Sequence, residues 1–278
     1  MFLRKVILSI SILCILPSCM KDEPGLEQYY ENRDEGIAFL EENGKKDGIV
    51  TTDSGLQYEA LTPGEGENTS EFDIVRFRYT VSSIEGVEYF SNETTESEDI
   101  PYSRLNGFNE YYIREGLSLM NVGSAYKFYV PYQLAYGEFQ YGEIVPFTAL
   151  VVELELLENF FLDNAKKEAV TVTESGLQYE IIEQGTGENA GEDSDVSVHY
   201  HGTFLNGDVF DSSVDRGTPS DLNVDCVIQG FSEGLQLMNT GAKYKLYIPY
   251  DLAYGVNGTS GIPGYTPLIF EIELIEIY

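Results

Sequence analysis

Two long stretches of this chain repeat each other. Ser54-Gly-Leu-Gln-Tyr-Glu59 recurs as Ser175-Gly-Leu-Gln-Tyr-Glu180, and Leu134-Ala-Tyr-Gly137 recurs as Leu252-Ala-Tyr-Gly255. Self-similarity at a period of about 120 residues indicates that one fold occurs twice in tandem. Since each copy is long enough to bury a hydrophobic core of its own, the sequence predicts two domains of similar structure.

The first residues have the pattern of a secretion signal. Arg4 and Lys5 precede an apolar run at residues 6–16, which is too short to span a bilayer as a permanent helix. The run ends in Leu16-Pro-Ser-Cys19, which resembles the lipobox of bacterial lipoproteins. We therefore expect a lipoprotein signal peptide at residues 1–18 and a lipid anchor to the membrane on Cys19. A plain signal with an incidental cysteine is the alternative.

The net charge of the chain and the residues that follow Cys19 indicate where the protein is located and which partners it can have. The chain has 16 basic and 47 acidic residues, a formal charge of −31. Such a surface repels nucleic acid, so nucleic-acid binding is excluded. Met20-Lys-Asp-Glu23 resembles the signal that exports some Bacteroidota lipoproteins to the cell surface. We expect a bacterial outer-membrane lipoprotein that faces the periplasm or the cell surface.

The cysteines do not form a disulfide framework. Cys14 lies in the signal and Cys19 in the lipobox, so an acylated Cys19 leaves Cys226 as the remaining thiol. Because Cys226 lies between Val224 and Val227, we expect it to be buried and inert.

Apolar periodicity sets the fold class of each copy. Residues 195–200 alternate between apolar and polar side chains, and Asn206-Gly207 predicts a hairpin turn after them. Phe231, Leu235 and Met238 recur at helical spacing. Many strands with one short helix predict an α+β domain built on an antiparallel sheet. The predicted organisation is a tether with a short helix at 19–48, a first domain at 49–158, a connecting helix at 159–169 and a second domain at 170–278.

Five ordered motifs in the second copy resemble one known family. They are Val198-His-Tyr-His-Gly-Thr203, Gly207-Asp-Val-Phe-Asp-Ser-Ser213, Val227-Ile-Gln-Gly-Phe-Ser-Glu-Gly-Leu235, Ile248-Pro-Tyr-Asp-Leu-Ala-Tyr-Gly255 and Leu268-Ile-Phe-Glu-Ile-Glu-Leu274. They resemble the FKBP-type peptidyl-prolyl cis-trans isomerases over essentially all of residues 170–278. The resemblance implies two tandem FKBP-like domains, each a twisted antiparallel β-sheet wrapped around one short α-helix, with a pocket between them.

The resemblance also implies the residues of that pocket. It gives Tyr200, Asp211 and Tyr254 as catalytic residues. The remaining pocket residues that it implies are Phe210, Leu222, Val227, Ile228, Phe231, Ile262 and Phe270. Phe231 stands where the family usually has tryptophan, and Leu222 where phenylalanine is frequent, so we expect altered rather than lost activity.

The chemistry of X-Pro isomerisation suits such a pocket. The barrier of roughly 18–20 kcal/mol comes from amide resonance, which places partial negative charge on the carbonyl oxygen. Twisting the bond removes that charge separation, so a dry aromatic cavity favours the twisted amide over the planar one. No metal or cofactor is needed. The resemblance implies that Tyr254 hydrogen-bonds the bound peptide, and that Asp211 orients Tyr200.

Other interpretations of these residues stay open at this level. The aromatic and aliphatic residues would also suit a hydrophobic core, Asp211 a turn or cap, and the two tyrosines a buried, locally bonded role. His199 and His201 share one strand face, which suggests a metal site, but that face points away from the pocket and carries no cysteine.

The first copy lacks several of these side chains. Alignment of the copies sets Tyr79 at Tyr200, Gly86 at Gly207, Phe90 at Phe210 and Tyr136 at Tyr254. The replaced positions are Ser91 at Asp211, Asn109 at Val227, Glu110 at Ile228, Ile113 at Phe231 and Val152 at Phe270. A charged Glu110 opposes proline binding, so we expect the first domain to keep the fold without the activity, as a spacer, client-binding or partner-binding module.

The leading hypothesis is a peptidyl-prolyl cis-trans isomerase that acts on X-Pro bonds of exported polypeptides through its second domain. A peptide-binding or holdase lipoprotein without significant turnover is the main alternative, and a structural or partner-docking lipoprotein is a third. The sequence leaves the oligomeric state open.

Overall fold

The computed structural model describes residues 26–70, 73–92 and 100–278 of the chain. The predicted signal peptide at residues 1–18, the predicted lipid site Cys19 and the motif at residues 20–23 lie outside the described residues. Within the described ranges, no helix is both long enough and apolar enough to cross a membrane.

The first repeat forms a seven-stranded antiparallel sheet. Its strands are β1 (Val50–Thr51), β2 (Gln57–Thr62), β3 (Ile74–Ser83), β4 (Glu88–Ser91), β5 (Ser103–Arg104), β6 (Ala125–Val130) and β7 (Leu150–Asn159). They are ordered β1-β2-β6-β7-β3-β4, and β5 also pairs with β3. The long strands β3 and β7 therefore lie beside each other at the centre of the domain.

The second repeat forms the same sheet again. Its strands are β8 (Val170–Val172), β9 (Gln178–Glu183), β10 (Asp195–Thr203), β11 (Val209–Ser212), β12 (Ser220–Asn223), β13 (Lys243–Ile248) and β14 (Leu268–Ile277). Their order is β8-β9-β13-β14-β10-β11, with β12 on β10. The predicted α+β class and the two tandem domains are thus confirmed. Gly207 has a φ of 87° in the predicted hairpin turn between β10 and β11, a conformation that favours glycine.

Five α-helices accompany the sheets within the described residues. They are α1 (Leu26–Asn43), α2 (Tyr111–Ser118), α3 (Phe160–Ala165), α4 (Ser213–Arg216) and α5 (Gln229–Gln236). In α5, Phe231 and Leu235 are buried against the sheet, as the helical spacing predicts. A Cβ at Gly234 would lie 2.2 Å from Leu246 Cδ1, so the helix can approach β13 only because this residue is glycine.

Helix α1 is longer than the short helix expected in a tether, and it packs against the first repeat. The rings of Tyr30 and Phe147 lie 5.9 Å apart, and those of Phe39 and Tyr129 lie 5.8 Å apart. A Cβ on Gly36 would come within 2.9 Å of the Ala149 side chain. These contacts make α1 part of the domain rather than a free linker.

Each repeat begins with the end of a helix, not with its first strand. Asn43 donates to Gln57 at 3.0 Å, and Asn164 donates to Gln178 at 2.8 Å in the same way. Both glutamines in turn donate to a helix carbonyl at 2.9 Å. The connecting helix expected at residues 159–169 is therefore the six-residue α3, the counterpart of the end of α1, and it belongs to the second repeat.

Candidate functional site

A hollow of about 760 Å³ opens between α5 and the sheet of the second repeat. It brings together all the side chains that the sequence singled out as catalytic or pocket residues. The lining residues are Tyr200, Phe210, Asp211, Leu222, Cys226, Val227, Ile228, Phe231, Tyr254, Thr259, Ser260, Gly261, Ile262 and Phe270. Residues from β10, β11, β12, β14 and α5 thus meet at one place, although they are spread over 71 positions of the sequence.

Phe270 lies at the centre of the aromatic wall. Its ring contacts three other rings edge to face: Phe231 at 5.0 Å, Phe210 at 5.4 Å and Tyr200 at 6.1 Å between centroids. Such edge-to-face pairs fix ring orientation in addition to the apolar area that they bury. Phe231 and Phe270 are almost fully buried, so they form the floor of the hollow.

Gly202 makes room for this wall. It pairs with Asp211 on one side and with Phe270 on the other. A Cβ at this position would lie 2.7 Å from the Phe210 ring and 2.8 Å from the Phe270 ring. Any larger residue at position 202 would therefore displace one or both phenylalanines.

The polar edge of the hollow is a hydrogen-bonded group of three side chains. The Tyr200 hydroxyl donates to Asp211 Oδ2 at 2.5 Å. Arg216 donates to the other Asp211 oxygen and, at 2.9 Å, to the Tyr200 hydroxyl. Arg216 follows Asp211 by one turn of α4, so the helix that begins after β11 carries the guanidinium back to the carboxylate.

These contacts set the protonation states of the group. Burial acts to raise the pKa of Asp211, but hydrogen bonds from Tyr200 and Arg216 outweigh it and lower the pKa below its ordinary value. Burial, followed by the hydrogen bond to Asp211, raises the pKa of Tyr200. Asp211 is therefore an anion and Tyr200 a neutral donor at neutral pH.

Removal of Arg216 should change the titration of Asp211. A carboxyl whose pKa is lower in the folded state stabilises the fold above its unfolded pKa, and this stabilisation is lost as the pH falls through the folded value. In the Arg216→Ala variant we expect the Asp211 midpoint to move up toward the ordinary value of an aspartate. Carbon-detected NMR of the side-chain carboxyl measures this shift, and an unchanged midpoint would show that Arg216 does not act on Asp211.

Tyr254 lies at the rim and is 39% exposed. Among the residues that the structure describes, no side chain hydrogen-bonds to its hydroxyl, so this group is free to bond a ligand in the hollow. Ile262 also lines the hollow; it is buried and pairs with Thr259 in a short antiparallel bridge.

Arg216 and four of the lining residues were missed in the sequence. Arg216 could have been found from its place one helical turn after Asp211. Cys226 was expected to be buried, and this is wrong: it is exposed at the end of the 3-10 turn Val224–Cys226, whose Val224 turns inward instead. A hydrogen bond to Asp225 raises the pKa of the Cys226 thiol, which keeps it protonated.

The two histidines of β10 contact serine hydroxyls outside the hollow. His199 lies 3.2 Å from the Ser213 hydroxyl, and His201 lies 3.0 Å from the Ser212 hydroxyl. The described part of the chain holds no group of three or more histidine, cysteine, aspartate or glutamate side chains suited to a metal.

Strand pairing corrects the alignment of the first repeat at its most important position. Phe90 pairs with Val81 as Asp211 pairs with Gly202. Phe90, and not Ser91, therefore takes the place of Asp211. The sequence alignment was wrong by one residue because it matched phenylalanine to phenylalanine, whereas the hydrogen-bond register of the hairpin fixes the true correspondence.

The same comparison moves two further residues. Tyr89 takes the place of Phe210, since it immediately precedes Phe90 in β4. Phe108 directly follows a 3-10 turn as Val227 does, so Phe108 rather than Asn109 holds the Val227 position. Asn109 is an additional residue before α2.

A tyrosine fills the corresponding space in the first repeat. Tyr112 on α2 holds the place of Gly230 on α5 and is only 1% exposed. Burial raises the pKa of Tyr112, and the neighbouring hydroxyl of Tyr136 and the charge of Glu110 add to the rise. Tyr136 and Glu110 hold the places of Tyr254 and Ile228, which line the hollow. The buried Tyr112 hydroxyl also lies near Tyr79, the counterpart of Tyr200, so Tyr112 reaches the residues that correspond to the lining of the hollow.

Comparison with known families matches both repeats. The family model described as FKBP-type peptidyl-prolyl cis-trans isomerase matches residues 65–157 and 186–275. A second model, the domain amino-terminal to FKBP-type peptidyl-prolyl isomerase, matches residues 18–60 and 153–181. The second pair of matches spans the helix ends that begin each repeat.

Individual relatives cover part of the chain. FKBP-type peptidyl-prolyl cis-trans isomerase FkpA of Aeromonas hydrophila is 48% identical over 120 residues, which are 43% of this chain and 45% of that protein. The FKBP-type 22 kDa isomerase of Escherichia coli is 50% identical over 116 residues, 41% of this chain and 56% of the relative. The crystal structure of FkpA from Escherichia coli shares 40% identity at a TM-score of 0.42, over 42% of this chain and 55% of that one. The chain thus spans about half the length of the curated relatives that it matches.

Proposed function

The chain belongs to the family of FKBP-type peptidyl-prolyl cis-trans isomerases, and on that premise we propose that it isomerises X-Pro bonds through its second repeat alone. The observation that carries this proposal is the contrast between the two repeats. The hollow in the second repeat is open and lined by Phe231, Phe270 and Tyr200. In the first repeat the buried Tyr112 lies beside Tyr136, Glu110 and Tyr79, the counterparts of hollow-lining residues, and from this we infer that its ring fills the corresponding space.

The hollow supplies what this reaction requires. The reaction breaks no σ-bond, and its barrier lies in the resonance of a planar amide with a partly charged carbonyl oxygen. The rings of Phe210, Phe231 and Phe270 form a dry site for the proline ring, in which a twisted amide is favoured over a planar one. Each tenfold in rate corresponds to roughly 1.4 kcal/mol of this preference.

The polar residues orient the peptide. The free hydroxyl of Tyr254 is placed to donate to a carbonyl of the bound chain. The Asp211 carboxylate, held by Tyr200 and Arg216, sets a fixed negative charge at one edge of the hollow. A fixed dipole or charge that needs no reorganisation during reaction favours the transition state.

The clients that we propose are exported polypeptides that contain proline. Uncatalysed isomerisation takes tens of seconds or more, which is slow enough to limit folding. The pattern at residues 1–19 supports a lipid anchor on Cys19 in the outer membrane of a bacterium, where the domain would face the periplasm or the cell surface. The strongly acidic composition supports polypeptide rather than nucleic-acid partners.

A proline-peptide isomerisation assay on the full chain tests the proposal. We expect Tyr254→Phe to lower kcat/KM between about threefold and tenfold, and Asp211→Ala to lower it by about tenfold or more. The matched controls are Tyr179→Phe, partly buried against the core of the same repeat, and Asp215→Ala, on exposed α4. Both should retain the activity.

Two outcomes would count against the proposal. If all four variants had the same rate as the parent chain, the hollow would not be the site of catalysis. If the parent chain bound the peptide without accelerating its isomerisation, the peptide-binding or holdase function would be favoured, and suppression of aggregation by Asp211→Ala would support that function.

A further inference from the structure

The face of the first repeat that corresponds to the hollow has a composition of its own. We call it the aromatic face and define it by Tyr89, Glu110, Tyr136, Tyr141 and Glu143. The counterparts of these residues in the second repeat are Phe210, Ile228, Tyr254, Thr259 and Gly261, and all of them line the hollow. The five residues therefore share one side of the first repeat.

The rings of this face lie at the surface. Tyr141 stacks on Tyr136 with 4.2 Å between ring centroids and an interplanar angle of 5°, and Tyr141 is still 52% exposed. Tyr112 closes the space beneath them. The first repeat therefore presents a shallow aromatic surface where the second presents a cavity.

Two carboxylates lie among these rings. Burial raises the phenol pKa of Tyr136 and of the half-buried Tyr89. The charge of Glu110 adds to the rise at Tyr136, and the charges of Glu85 and then Glu143 add to the rise at Tyr89. Neither Glu110 nor Glu143 forms an ion pair with any residue that the structure describes. Both replace uncharged residues of the second repeat, so the face carries negative charges at two positions where the hollow has none.

The two carboxylates of this face can only accept hydrogen bonds, whereas its tyrosine hydroxyls can donate as well as accept. Beneath them, the buried hydroxyl of Tyr112 makes no hydrogen bond of normal geometry within the described part of the chain. Lysine and arginine side chains carry only donors, and their charge is attracted to the faces of tyrosine rings. The protein itself shows this contact nearby, where Arg114 lies over the ring of Tyr111, 5.5 Å from its centroid.

We propose that the aromatic face is a binding site for basic segments of extended polypeptides, which place arginine or lysine side chains on the Tyr136–Tyr141 stack between Glu110 and Glu143. The site is distinct from the isomerase hollow and does not depend on catalysis there. In one chain, such a site would hold a basic client near the second repeat and raise its effective concentration at the hollow.

Binding of a basic peptide to the full chain tests this proposal. The probe is a short fluorescein-labelled peptide in which arginine alternates with glycine, without proline, so that it cannot use the isomerase hollow. We expect Glu110→Gln combined with Glu143→Gln to weaken its affinity about tenfold at physiological salt. The matched control is Glu168→Gln combined with Glu174→Gln, which removes the same charge from exposed positions of the second repeat and should change the affinity less than about twofold.

A second variant distinguishes the contribution of the tyrosine rings to peptide affinity from that of the negative charge. Tyr141→Ala removes the exposed ring without changing the net charge, and we expect it to weaken binding at high salt as well as at low salt. Equal weakening by the two double variants would overturn the proposal, because the peptide would then respond only to total charge. So would binding of a neutral oligosaccharide that Tyr141→Ala abolishes while the arginine peptide is unaffected, since the face would then be a carbohydrate site.

Discussion

A tyrosine placed at position 230 of the second repeat, where the first repeat has Tyr112, is expected to abolish isomerase activity. The variant is Gly230→Tyr combined with Ile248→Val, which reproduces Tyr112 and its neighbour Val130. We expect kcat/KM to fall by at least about 100-fold, because the phenol ring would occupy the space in which the proline ring binds.

The second substitution is needed for the first to fit. A Cβ on Gly230 would lie 2.5 Å from Ile248 Cγ2. Val130 holds the Ile248 position beside Tyr112, so its smaller side chain leaves the space that the tyrosine needs. The double variant should therefore keep the fold while it loses the hollow, which distinguishes a filled site from an unfolded domain.

Two variants serve as controls for this experiment. Ile248→Val alone should cost about 0.5–1.5 kcal/mol of stability and leave the hollow open. Gly191→Tyr places the same ring in an exposed turn, where the nearest atom to a new Cβ lies at 3.4 Å. Full activity in the double variant, with a melting curve like that of the parent, would show that Tyr112 does not explain the difference between the repeats.

Substitution of Gly202 by valine is expected to have the second largest effect. The first repeat has Val81 at this position and Val152 in place of Phe270. In the second repeat the new side chain would meet the rings of Phe210 and Phe270 at contacts below 3 Å. We expect Gly202→Val to destabilise the domain by about 1–3 kcal/mol and to lower kcat/KM by at least about tenfold.

A double-mutant cycle shows whether the two positions act together. Phe270→Val alone leaves a cavity, while Phe270→Val in the Gly202→Val background removes one of the two clashes. We therefore expect the double variant to be more stable than the sum of the single losses implies, without recovered activity. Denaturant unfolding measures this coupling. Strict additivity of the two losses would mean that Gly202 and Phe270 do not constrain each other.

Much of the second repeat could be predicted from its sequence. Apolar periodicity indicated β10 and the stripe of α5, and the ordered motifs indicated which side chains gather at the hollow. These signals are local or depend on a shared chain order, so they do not require knowledge of how the strands pair.

The remaining features depend on contacts that a single sequence does not display. The correspondence of Phe90 to Asp211 depends on the register between β3 and β4. The sequence alignment matched Phe90 to Phe210 instead, because both residues are phenylalanines. The inward turn of Val224, which leaves Cys226 exposed, is set by a 3-10 turn too short to have a visible period. The packing of α1 was missed because it rests on Gly36 and on rings distant in the sequence.

The proposed function requires that a proline ring has room in the second repeat and none in the first. Amide NMR of the full chain during titration with a neutral proline peptide tests this requirement. We expect the resonances of Tyr200, Phe231 and Phe270 to shift, while those of Tyr112 and Tyr136 stay unchanged. Shifts at Tyr112 and Tyr136, with the hollow of the second repeat unaffected, would place proline binding in the first repeat instead.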